Sequence, residues 1–130
     1  MRWNIVSDRP IYLQLVEQLK LAIVSGIYPP GSRMPTVREL AADASVNANT
    51  MQRALSELEN SALVITQRTS GRCVTEDAAV IAQAKASIAQ EVLAEFMSKM
   101  SSLGYSAEQT LELVQRTAGS GDQPLLPDNL

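Results

Sequence analysis

Apolar positions run at helical spacing through the first part of the chain, then change rhythm repeatedly. Tyr12, Leu15, Leu19 and Ile23 fall on one helical face, the signature of an amphipathic segment. Asp8 and Pro10 mark its start, since an acid and a proline both suit a first turn. Gly26 ends it by accepting a left-handed backbone. The segment GIYPPGSRMP holds two glycines and three prolines in ten residues, which predicts a rigid turn rather than a regular element. Thr36 opens the next helix, with Glu39 three residues on as a capping box. That helix is short, roughly Val37 to Ala44, with Leu40, Ala41 and Ala44 inward. Ala44-Ser45-Val46 forms a turn. Asn47 then caps a third helix that runs to about Asn60 and buries Met51, Ala54, Leu55 and Leu58. Two short helices crossing at a tight turn make a helix-turn-helix.

The rhythm then shortens. Leu63 to Gln67 alternates and is β-branched, Thr69-Ser70-Gly71 is a turn, and Cys73-Val74 begins a return strand, so a small hairpin is expected. From Ala78 to Leu103 a single long helix carries Ile81, Ile88, Val92, Phe96, Met100 and Leu103 on one stripe, widened by Leu93 and Met97. Gly104 stops it. Ser106, with Gln109 three residues on, caps a second helix over about Ala107 to Ala118. The expected fold is mainly α with a small β-hairpin. A winged helix-turn-helix covers residues 1–75, a two-helix C-terminal dimerisation appendage 78–118, and a flexible tail 119–130. The stripe is wider than the short second helix can cover and too large for a comfortable monomer. A homodimer is therefore expected, with Ile81, Ile88, Val92, Leu93, Phe96, Met97, Met100 and Leu103 at its interface. The alternative is a long helix folded back on its own winged module.

Charge and composition narrow the chemistry. The 130 residues suit one ordinary domain and a short appendage. With no histidine and one cysteine, Cys73, zinc-finger sites and imidazole-dependent triads lose their parts. No enzyme, cofactor or metal centre is expected. The lone cysteine suits a reducing compartment. No long apolar run or export signal occurs, so a cytoplasmic chain with no membrane span is expected. The net charge of −3 runs against the basic excess usual in nucleic-acid binders. The acid excess, however, lies after Ala78, and residues 1–77 are neutral overall. Such a module implies modest non-specific affinity and a reliance on dimerisation.

Reading a major groove needs a helix with short polar side chains near its N-terminus. The third helix offers Asn47, Asn49, Thr50, Gln52 and Arg53, with no acid before Glu57. Arg38 protrudes from the preceding helix, where the duplex backbone would pass. Thr36 and the free amides beside it suit a phosphate. In the wing, Arg68 and Arg72 flank Gly71, which fits a loop lying against a groove edge. Any one of these residues is more often a solvated face than a contact; their joint placement is what points to double-stranded DNA.

The segment PIYLQLVEQLKLAIVSGIYPPGSRMPTVRELAADASVNANTMQRALSELENSALV resembles the N-terminal domain of GntR-family transcription regulators. The likeness covers about residues 9–75 and includes the family's box as Met34-Pro35-Thr36-Val37-Arg38-Glu39-Leu40. It implies a backbone contact for Arg38, recognition contacts at Asn47, Ala48, Asn49, Thr50 and Gln52, and a wing glycine at Gly71. Three departures stand out. Ala48 replaces a base-reading arginine found in many members, and Ser45 replaces the usual turn glycine. Thr69 and Cys73 replace a glycine and an aromatic of the usual wing. The short C-terminal region resembles the YtrA subfamily, in which it serves dimerisation; the resemblance implies a repressor at a pseudo-palindromic operator, often of a transporter operon. A competing reading makes the chain a sensor for a small-molecule effector of unknown identity, held between the C-terminal helices by Phe96, Met97, Met100 and Tyr105. Such a stripe is more often plain core. Cys73 as a redox switch beside Arg72 competes with Cys73 as a small hydrophobe.

Overall fold

The computed structural model describes residues 1–119; beyond Gly119, the expected tail lies outside the described residues. Its elements are α1 (Ile11–Val24), α2 (Val37–Ala44), α3 (Ala48–Asn60), β1 (Val64–Gln67), β2 (Gly71–Val74), α4 (Ala78–Ser102) and α5 (Ala107–Gly119). The chain forms two compact units, Met1–Ile88 and a second from Ala89 on. No helix among the described residues is long and apolar enough to cross a membrane.

In the first unit, α1, α2 and α3 enclose one core. Leu15, Leu19 and Ile23 of α1 meet Leu40, Ala41 and Ala44 of α2 and Met51, Ala54, Leu55 and Leu58 of α3. The small alanines let helix axes approach, which a helix-turn-helix needs. Leu63, Val64 and Val74 of the hairpin close the core, and Val80, Ile81 and Ala84 from the first turns of α4 pack against it. Ile81, one of the stripe residues, is thus partly buried against the core of the winged module. The reason is chain continuity: α4 starts four residues after β2, so its first turns stay beside the module.

Helix ends follow local chemistry. At α2 the Thr36 hydroxyl accepts the Glu39 N–H at 3.1 Å and the Glu39 carboxylate accepts the Thr36 N–H at 3.1 Å, completing the expected capping box. Asn47 Oδ1 accepts the Asn49 N–H at 2.7 Å and so caps α3. Between them Ser45 turns left-handed, at φ 57° and ψ 46°, where glycine is the unstrained residue. Asp77 caps α4 through the Ala79 N–H, and Ser106 with Gln109 forms the expected box of α5. The start of α1 differs from expectation. Pro10 is its N-cap, no acid sits in the first turn, and Asp8 lies outside the helix.

Side-chain amides hold the segment ahead of α1 instead. Gln14, fully buried, accepts the Val6 N–H at 2.8 Å and donates to the Val6 and Arg9 carbonyls. Gln18 makes the same two-way pairing with the Asn4 backbone. Trp3 Nε1 donates to Asp43 of α2 at 2.8 Å. The stretch Trp3–Val6 is thus stitched along α1 by two glutamines that supply what a β-partner would.

The hairpin is antiparallel, in the register Val64↔Val74, Ile65↔Cys73, Thr66↔Arg72, Gln67↔Gly71. A third stretch joins it. Met34 N–H donates to the Arg72 carbonyl, Val74 N–H donates to the Ser32 carbonyl, both at 2.8 Å, and Arg33 bridges Cys73. The proline- and glycine-rich segment expected to be only a turn therefore lends one extended residue to the wing. The free edge of β2 needs partners for its backbone groups, and Ser32–Met34 is a proline-free stretch whose amides can pair. Cys73 is 5 % exposed and packs as a small hydrophobe.

The second unit is thinly packed. Val92 and Leu93 are 60 % and 57 % exposed, and Phe96, Met97, Leu103 and Tyr105 are exposed as well. Leu111 and Val114 of α5 are exposed too, so among the described residues most of the stripe from Val92 onward lies open, with Met100 half-buried.

Candidate nucleic-acid interface

The first half of α3 is divided by its own periodicity. Met51, Ala54, Leu55 and Leu58 are fully buried, which fixes the rotation of the helix about its axis. Asn47, Ala48, Asn49, Gln52 and Arg53 are left exposed, with Thr50 half-buried. The caps then decide which of these polar groups are available. Asn47 Oδ1 is committed to the Asn49 N–H, so a two-point contact of Asn47 with adenine would break the cap. Asn49 has no side-chain hydrogen bond among the described residues, and Gln52 makes only a 3.4 Å contact to Ser56. These two amides are the ones free to read a base edge.

Arg53 has a task within the fold. Its guanidinium carbon lies 3.5 Å from the centroid of the Tyr12 ring on α1. Stacking on a ring face orients a guanidinium while leaving its in-plane N–H donors unused. Tyr12, read from sequence only as a core position, thus positions a cation of the recognition helix.

A cleft of about 410 Å³ separates the start of α2 from the wing and is lined by Arg33, Met34, Pro35, Thr36, Val37, Arg38, Gly71 and Arg72. It brings together four sequence candidates, Thr36, Arg38, Gly71 and Arg72, and adds Arg33. Arg33 was missed because it lay in a segment read as a turn; only its pairing with Cys73 carries it to the wing. Arg38 makes no hydrogen bond or ion pair among the described residues, nor does Arg68, which sits in the exposed hairpin loop. Arg72 pairs with Glu59 of α3, a partner that sequence spacing did not signal. At the start of α2 the capping box occupies the Thr36 and Glu39 N–H groups. The Thr36 backbone N–H, followed by its hydroxyl and the charge of Arg33, holds the Glu39 carboxyl below its usual range. An ionised carboxylate therefore stands where a phosphate would approach, and the amides of Val37 and Arg38, with the flanking arginines, are what remain to attract one. Gly71 is left-handed at φ +74°, and a Cβ there would meet nothing within 4 Å; backbone conformation rather than crowding demands glycine.

Comparison with known proteins places this geometry. The family model for bacterial regulatory proteins of the gntR family matches residues 11–74, from the start of α1 to the end of β2. The chain is similar to the HTH-type transcriptional regulator YhcF of Bacillus subtilis, at 36% identity over 88% of this chain and 95% of that protein. It is similar to the HTH-type transcriptional repressor YtrA of the same organism, at 32% identity over 84% of this chain and 85% of that one. Among solved structures, a GntR family transcriptional regulator from Listeria monocytogenes superposes with a TM-score of 0.77 at 38% identity, covering 85% of this chain and 97% of the other. Likeness of that depth, running through both the winged module and most of the C-terminal helices, means that the chain belongs to the GntR family and is a DNA-binding transcription regulator of the short, YtrA-like type.

Proposed function

We propose that the protein is a homodimeric repressor that binds a pseudo-palindromic operator in double-stranded DNA. The observation that carries this reading is the division of α3 into a fully buried apolar face and an exposed face of amides and one oriented arginine. On this reading Asn49 and Gln52 meet base edges and Ala48 lies against a thymine methyl. Thr50 and Arg53 steady the helix in the groove, with Asn47 serving as its cap. Thr36, Arg33, Arg38, Arg68 and Arg72 serve the phosphate backbone, which sets register without reading sequence. Gly71 lets the wing approach. The exposed stripe of Val92, Leu93, Phe96, Met97 and Leu103, with the half-buried Ile88 and Met100 on the same face, supports pairing of two copies. Their recognition helices then address half-sites roughly 34 Å apart. The name of the YtrA relative supports repression.

Selection of bound duplexes from a random pool, with the mass of the complex measured alongside, tests this. A two-fold symmetric motif bound by two chains is the expected result. Absence of any enriched duplex at low salt, or a complex containing one chain, overturns it.

A further inference from the structure

Glu59 stands on the last turn of α3 and is assigned no DNA contact above. Its two carboxylate oxygens serve different strands of the wing. Oε2 accepts the Thr66 hydroxyl at 2.9 Å, and Oε1 accepts Nε–H of Arg72. Thr66 and Arg72 face each other across the hairpin, so one carboxylate ties a cross-strand pair to the recognition helix. The tie engages Nε of Arg72, and no other side-chain hydrogen bond of Arg72 occurs among the described residues. Its terminal amino groups keep their donors. Arg72 also lines the cleft between α2 and the wing, beside Arg33 and Arg38. With its side chain only 23 % exposed, this arginine is held in place.

We infer that Glu59 is a positioning residue for DNA binding: it fixes Arg72 on the cleft wall so that the terminal guanidinium nitrogens meet a phosphate of the duplex backbone. This rests on the DNA reading above. A phosphate contact of this kind needs the planar guanidinium at a set angle, and a flexible arginine at a loop edge reaches that angle only when something grips its Nε. Lysine does not reproduce it, because its donors share one rotating nitrogen and lack the fixed planar fork by which a guanidinium is gripped at Nε while its terminal nitrogens face a phosphate. Glu59 thereby couples the wing's cation to the helix that reads bases, and a correct fit of one orients the other.

The full-length protein and its selected operator supply the test. Glu59→Asp keeps the charge but shortens the reach, so it separates orientation from attraction. Glu59→Asp and Arg72→Lys should each weaken operator binding about tenfold with the salt dependence nearly unchanged, because no charge is lost. Arg72→Gln should weaken it as much and lower the salt slope by up to about one counterion. Glu59→Asp combined with Arg72→Gln should bind no worse than Arg72→Gln alone, as expected for two residues acting through one contact. Thermal unfolding of each variant checks that the folded protein is being compared, and Arg72→Lys reads the same contact should Glu59→Asp unfold. Operator binding by Glu59→Asp equal to or tighter than that of the parent overturns the inference, as does an additive double variant. A parent protein that binds no duplex sinks the DNA reading itself, a separate outcome.

Discussion

α3 and α4 both carry an apolar stripe, and the two stripes end differently. On α3, Met51, Ala54, Leu55 and Leu58 are wholly covered by α1, α2 and the hairpin. On α4, only the first turns, with Val80, Ile81 and Ala84, join that core, while Val92 and Leu93 stay more than half exposed. Periodicity says that a face will be covered but not by what. For α3 the cover lies within reach of a short chain segment. For the distal part of α4 the described residues offer α5, whose own Leu111 and Val114 are exposed.

The largest effect should come from breaking the uncovered stripe. Replacing Leu93 and Phe96 together by glutamate is expected to turn the proposed dimer into a monomer and weaken operator binding by about 10²-fold or more, since the two half-sites lose their linkage. The unfolding of the winged module should hardly move. Sedimentation together with operator titration checks this, and an unchanged mass would remove the stripe from the interface. The covered stripe should behave in the opposite way. Leu55→Ala opens a cavity at a fully buried site and should cost about 2–5 kcal/mol in urea unfolding regardless of protein concentration. A concentration-dependent loss would mean that α3 is stabilised by pairing after all.

Two further changes sharpen the contrast within the first unit. Ser45 and Ala62 are left-handed at φ 57° and 65°, a conformation that disfavours residues with a Cβ by about 1–2 kcal/mol. Ser45→Gly and Ala62→Gly are each expected to raise stability by up to about 1 kcal/mol, less than the full strain because glycine also loosens the unfolded chain. A lower midpoint for both would show the strain to be absorbed elsewhere. The smallest effect concerns pH. Arg72 first, then Thr66, holds the Glu59 carboxyl below its ordinary value of 4.5. A lowered folded value contributes stability that is present above 4.5 and lost as pH falls through the lower value. With the Glu59 side chain about a third exposed, screening keeps the contribution small. Glu59→Gln should therefore flatten acid destabilisation below pH 4.5, and an unchanged acid limb would show the pair to be idle.

Much of the fold was legible because it is local. The bounds of α2 and α3, the capping box at Thr36, the cap at Asn47 and the hairpin turn all depend on residues a few positions apart. The interface was legible as a set of residues but not as a set of available groups. Asn47 is spent on its cap, Arg53 rests on Tyr12, and Arg72 is gripped by Glu59. The last two of these pairings join residues 41 and 13 positions apart, and neither follows a helix or strand period.

The sequence alone determined where helices start and stop and which face of each is apolar, because caps, breakers and periodicity act over one or two turns. Only the tertiary structure decided that Ile81 packs against the winged module's core, that Arg33 reaches the wing, and which arginines are already engaged. Those outcomes depend on which surfaces meet in space, where a hydrogen bond or ring face is set by chain crossings that no spacing along the sequence records.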